Sequence, residues 1–247
     1  MTARLPRRYS SPARADGARR TRACIIEAAA TLFVEHGYAA TSLQDIATAA
    51  GVARPTVTSA FSSKCAILAQ VLDQALAGDD EPVPVRDRPW FVPVWQASCA
   101  EECLRAYAEV VALIGQRASR IVEVIHRASD GAPDVAELWQ RSMSNRRLGA
   151  AMVIEREVVT TRLRPGLTQE DAIDVLWTLN DSGLYTALVT RRGWTVERYA
   201  RWLADTMCRL LLEGDSAARE GDSAEPEGAA VRRPADFGAR TPGAVIG

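Results

Sequence analysis

TSLQDIATAAGVARPTVTSAFSSK, residues 41–64, spells out two short helices and the turn that joins them. Thr41 opens the stretch as a cap. Leu43, Ile46, Ala47 and Ala50 then recur at helical spacing and share one face. Gly51 stops the first helix, because a left-handed backbone costs least at glycine. A second helix starts near Ala53 with Pro55 in its first turn, where a missing N–H removes no bond. Val57 and Phe61 are its buried anchors, while Arg54, Pro55, Thr56, Thr58 and Ser59 make a small, polar outer edge. Two helices around a glycine turn, the second polar outside, are the layout that places a helix in the DNA major groove.

The flanks extend the pattern. Upstream, Ile25, Ala29, Leu32 and Phe33 form one stripe that ends at His36-Gly37-Tyr38. Downstream, FSSKCAILAQVLDQAL begins a fourth helix capped by Ser62 or Ser63, with Lys64 in its first turn. From about Arg20 to Leu72 the order A-A-x-x-L-F-x-x-x-G-Y, T-S-x-x-D-I-A-x-x-A-G-V, P-T-V and F-x-S-K resembles the TetR family of bacterial transcriptional regulators. The resemblance implies that Gln44, Arg54, Pro55, Thr56 and Ser59 face base edges. It implies that Thr41, Ser42, Thr58 and Lys64 hold phosphates. Two positions depart from the family: Thr58 stands where a tyrosine is usual, and Ala60 where histidine is frequent. A hydroxyl remains at the first and no donor at the second.

Composition supports a DNA partner. The net charge of −1 conceals nine Arg/Lys against four Asp/Glu in residues 1–64, and 21 against 27 in residues 65–247, or +5 and −6. No apolar stretch is long enough to span a bilayer, so no membrane partner is expected and the expected place is the bacterial cytoplasm. The five cysteines are expected to be reduced thiols. Cys99 and Cys103 share a helix face, but no His/Cys cluster adds metal ligands. His36 and His126 are the two histidines, and no nucleophile elbow, P-loop or dinucleotide glycine pattern is present; neither an enzyme nor a cofactor is expected.

The expected architecture is all-α. A basic arm, 1–18, reads as disordered. A helix-turn-helix domain occupies 19–79, with its motif at 42–61 and helices near 19–36, 42–49, 53–60 and 62–78. GDDEPVPVRDRP, 78–89, reads as a linker. A second helical domain, 80–213, holds a run from 97 to about 128 that Gly115 divides. Helices over 134–162, 168–191 and 195–213 follow, and 214–247 reads as a disordered tail. Trp90, Trp95, Tyr107, Trp139, Met143 and Trp177 are candidates to line an apolar effector pocket. Leu176, Leu179, Gly183 and Ala187, then Tyr199, Leu203, Met207 and Leu210, fall three or four apart as a packing seam. The resemblance implies that the last two helices pair with a second subunit. The expected function is therefore a ligand-responsive DNA-binding regulator, a repressor, acting as a homodimer on a palindromic operator. The alternative is a helical interaction module that has lost DNA binding.

Overall fold

The computed structural model describes residues 12–214. Helix α1, Pro12–Ala40, starts earlier than its apolar stripe. Pro12 sits at its first position, Ala13, Ala15 and Ala18 are strong helix formers, and extending an existing helix needs no new nucleus. Residues 12–18 are thus helical, correcting the expected disorder there. Residues 1–11 of the expected arm and the tail from 215 lie outside the described residues. Gly37 alone breaks α1, at φ 82° and ψ 167°, a conformation that side chains rarely adopt.

Helix α2, Leu43–Ala49, is capped by Ser42 rather than Thr41. The Ser42 hydroxyl accepts from the Asp45 N–H at 3.1 Å, and the Ser42 N–H donates to the Asp45 carboxylate at 2.9 Å, a complete capping box. Gly51 turns the chain at φ 65°, and helix α3, Arg54–Ala60, follows. Ser63 caps helix α4, Lys64–Ala77.

Ile25, Phe33, Ile46, Val57 and Leu68 build the first core, which closes only with Ile121, Ile125, Val135 and Leu138 from further along the chain. Polar residues 78–89 therefore separate two regions in sequence whose side chains meet in space. Nor is that segment a loose linker. Arg88 is buried within it, donating to Val83 O at 3.0 Å and Glu81 O at 2.9 Å and pairing with Asp79 at 2.5 Å.

The remaining helices are α5 (Val92–Gln96), α6 (Ala100–Ser129), α7 (Pro133–Ile154), α8 (Glu157–Thr160), α9 (Gln169–Leu179), α10 (Ser182–Tyr185) and α11 (Val196–Leu211). A π-helical turn, Thr186–Arg191, continues α10. Leu104, Tyr107, Leu176, Leu203 and Met207 belong to the second core. Helix α6 supplies residues to both cores and runs unbroken through Gly115. That glycine serves packing: a Cβ there would lie 2.6 Å from Tyr185 Cδ2 and 3.1 Å from its Cβ. Gly115→Ala is accordingly expected to destabilise the chain. The usual helix gain of about 0.5–1 kcal/mol is outweighed by an overpacking cost of roughly 1–3 kcal/mol. Urea unfolding with an unchanged slope and a lower midpoint would show it; a raised midpoint would contradict it.

Two expected helices are interrupted. The run 134–162 breaks at Glu155–Arg156 because Arg156 turns inward. It donates to Trp95 O at 2.9 Å, to Ala97 O at 3.2 Å and to Val94 O, and satisfies carbonyls at the end of α5. The run 168–191 breaks at Asn180–Asp181. Asp181 caps α10 by accepting from the Gly183 N–H at 2.7 Å, and Asn180 Nδ2 donates to the Tyr107 hydroxyl at 2.8 Å.

Candidate nucleic-acid interface and ligand cavity

Helix α3 turns its polar edge to solvent. Arg54, Pro55, Thr56, Thr58 and Ser59 are exposed, while Val57 is completely buried. Gln44 and Ser42 of the α2 region are exposed too. The Thr58 hydroxyl donates back to Pro55 O at 3.1 Å, so part of its capacity is used within its own helix. Arg22, in α1, makes a contact that the sequence analysis did not single out. Its guanidinium lies 4.1 Å from the Phe61 ring centre and donates to Ala60 O, which caps the end of α3 with positive charge. The contact spans 38 residues, and no local pattern signals it.

Two residues expected to hold phosphates make hydrogen bonds within the chain. Thr41 is only 2% exposed, and its hydroxyl donates to Gly37 O at 2.8 Å. Lys64 Nζ donates to Tyr38 O at 2.7 Å and Thr41 O at 2.9 Å, and lies 4.1 Å from the Tyr38 ring centre. Both therefore lock the Gly37 break onto α4. Burial lowers the Lys64 pKa, partly offset by Asp134. Burial, followed by Asp134, pushes Tyr38 up to about 12. Asp134, near the start of α7, also accepts from the Cys65 thiol through its carbonyl at 3.3 Å. Helix α4, which holds the Gly37 break through Lys64, is thus also tied to α7.

A cavity of about 750 Å³ opens beside the second core. Leu72 and Leu76 of α4, Val111 of α6 and Met143 of α7 line it, along with Tyr185 and Tyr199. Of the six expected pocket residues, Tyr107 and Met143 reach this wall; Trp90, Trp95, Trp139 and Trp177 do not. Each of the four is engaged elsewhere. Trp90 lies under the Arg117 guanidinium at 5.6 Å, and Trp95 stacks on Phe91 at 4.9 Å. Trp139 stacks on His126 at 4.6 Å, and Trp177 lies under Arg146 at 5.0 Å.

Residues 25–71 match the model of the bacterial regulatory proteins of the tetR family. Through this segment the chain is similar to the tetR family. The HTH-type transcriptional regulator TtgR of Pseudomonas putida is 30% identical over 138 residues, covering 51% of this chain. The chain spans 59% of the length of that relative. The helical architecture is shared with solved structures. NalD of Pseudomonas aeruginosa, the secondary repressor of the MexAB-OprM multidrug efflux pump, superposes with a TM-score of 0.61 at 24% identity, over 80% of this chain and 98% of its own. A protein from Saccharomonospora viridis, solved in complex with choline, gives 0.60 at 21% identity, over 81% and 100%.

The expected subunit seam divides. Leu176, Tyr199, Leu203 and Met207 have no exposure at all and belong to the chain's own core, so they are not surface residues awaiting a partner. The break at Asn180–Asp181 also takes Gly183 and Ala187 out of the helix that holds Leu176 and Leu179. Leu179 is half-buried, Gly183 and Ala187 are exposed, and Leu210 is 42% exposed. These four retain accessible surface.

Proposed function

We propose that this chain is a DNA-binding transcription regulator, a repressor whose grip on DNA is released by a small molecule. The observation that carries the reading is helix α3: one buried anchor, a continuous exposed polar edge, and a glycine turn fixing it against α2. Gln44, Arg54, Pro55, Thr56 and Ser59 read base edges, while Ser42 and Thr58 touch phosphate. Regions 19–79 and 80–213 act as reading head and effector domain. The protein acts in the cytoplasm as a homodimer on an inverted repeat, with Leu179, Gly183, Ala187 and Leu210 as the accessible remainder of the pairing surface. Half-site centres stand about 34–36 Å apart or a multiple of this.

Two helices can carry the signal. Leu72 and Leu76 place α4 on the cavity wall while Lys64, roughly 12 Å up the same helix, holds the reading head. Met143 places α7 there too, with Asp134 roughly 13 Å away at the latch. An occupant that displaces either helix changes the separation of paired α3 helices. The effect is reciprocal, with a usual scale of about 1–3 kcal/mol. The choline-bound neighbour supports an effector role for the helical domain.

Selection of bound duplexes from a random pool tests the reading, and an inverted repeat should emerge. Arg54→Ala is expected to relax preference at one base position of each half-site, by about 1–3 kcal/mol, with little change elsewhere. A variant that loses all sequences equally would place Arg54 on phosphate instead.

A further inference from the structure

The cavity has an apolar body and one polar wall. On that wall Asn180 Nδ2 donates to the Tyr107 hydroxyl at 2.8 Å, and Arg146 Nη1 lies 2.7 Å from Asp181 Oδ2. Three side-chain atoms of residues lining the cavity are buried without a hydrogen-bond partner among the described residues: the Tyr199 hydroxyl, Asn180 Oδ1 and Arg146 Nε. Tyr199 is wholly buried, and burial, then Asp181 and Tyr185, raises its pKa, so it keeps its proton and can donate. The Asn180 oxygen can only accept, and Arg146 Nε can only donate. Buried polar groups are normally satisfied, and each orphan costs about 1–3 kcal/mol. A ligand that fits them must both accept and donate.

The charges on the lining narrow the class further. Arg146 already faces Asp181, and Asp73 faces Arg141. Arg86 lies 3.9 Å from Asp87. An anionic ligand would compete with Asp181 for Arg146 and be repelled by it. A cation would meet Arg146 in the same way. Neither charge sign has a buried counter-charge left over.

We infer that the effector cavity takes an uncharged, largely apolar compound whose single polar head is a hydroxyl or a similar group that both donates and accepts, seated between Tyr199, Asn180 and Arg146. This deepens the proposed effector role and rests on it only for its regulatory meaning. Four probes of one shape test it by equilibrium dialysis against the full chain at neutral pH, without DNA: biphenyl, 4-phenylphenol, biphenyl-4-carboxylate and 4-phenylbenzylammonium. The phenol is expected to bind at least about tenfold tighter than biphenyl, since satisfying one or two orphaned groups is worth that factor. The two ions are expected to bind no tighter than biphenyl. Tyr199→Phe should bring the phenol towards biphenyl while biphenyl itself is unchanged, which also shows that the cavity is intact. If that variant fails to fold, the order of the four probes on the unaltered chain decides. Equal binding of phenol and biphenyl, tightest binding by either ion, or retention of none of the four overturns the proposal. The regulatory reading fails separately: a phenol that binds in the expected order but leaves DNA affinity unchanged keeps the ligand class and refutes the coupling.

Discussion

Leu203→Asp is expected to abolish the folded effector region rather than merely separate subunits. Leu203 has no solvent exposure and packs in the second core with Leu104, Leu176 and Met207. A carboxylate placed there loses the burial of the leucine and must either desolvate a charge or take up a proton, among apolar neighbours that cannot compensate it. Removing a buried leucine side chain alone costs about 2–5 kcal/mol, and an unpaired buried polar group adds to that. Since whole domains are stable by only about 5–15 kcal/mol, the variant should be unfolded or aggregated at ordinary temperature. Circular dichroism and solubility check it. A soluble, fully helical monomer would mean that Leu203 faces a partner after all. A dissociating substitution belongs instead at Leu210, which is already 42% exposed and leaves the core untouched.

Lys64→Ala is expected to lower the stability of the reading head by roughly 2–4 kcal/mol, because two charge-assisted hydrogen bonds are lost and two carbonyls lose their donor. The carbonyls are Tyr38 O and Thr41 O, on either side of the stretch between the Gly37 break and α2. DNA affinity should fall in parallel with the loss of structure, and adding salt should not reproduce the effect. Hydrogen exchange at the amides of α2 and α3 would rise selectively. If stability is unchanged while the salt slope of DNA binding drops by about one, Lys64 contacts phosphate and the clamp is incidental.

The motif was legible because its signals are local. Gly51, Pro55 and the Ile46–Val57 anchors act within a few residues, and the caps do too, so helices α2 to α4 fall within two residues of their expected bounds. What the sequence concealed depends on distant partners. Arg156 breaks the expected helix over 134–162 because the carbonyls it satisfies lie some sixty residues upstream. Asn180 breaks the next because Tyr107 waits on α6. Gly115, expected to divide α6, instead admits Tyr185 from the other end of the chain. The cavity was hidden for the same reason. Tryptophan is the conspicuous aromatic residue in a sequence, yet Trp90, Trp95, Trp139 and Trp177 are spent on stacking and cation contacts. The cavity is lined instead by aliphatic residues and methionines, with tyrosines and residues at a helix break on its polar side. The three-and-four seam of α9 and α11 was real but ambiguous, since a stripe that packs in the chain's own core looks like one that packs on a partner.

The affinity of the full chain for its selected duplex as a function of salt tests whether α3 reads DNA. Binding should be strong at low salt and fall linearly in log K against log salt, with a slope of roughly −0.9 for each phosphate neutralised. An unrelated duplex should bind far more weakly, and Arg54→Ala should narrow that gap. No measurable binding to any selected duplex at low salt, or equal binding to selected and unrelated duplexes, would contradict the account.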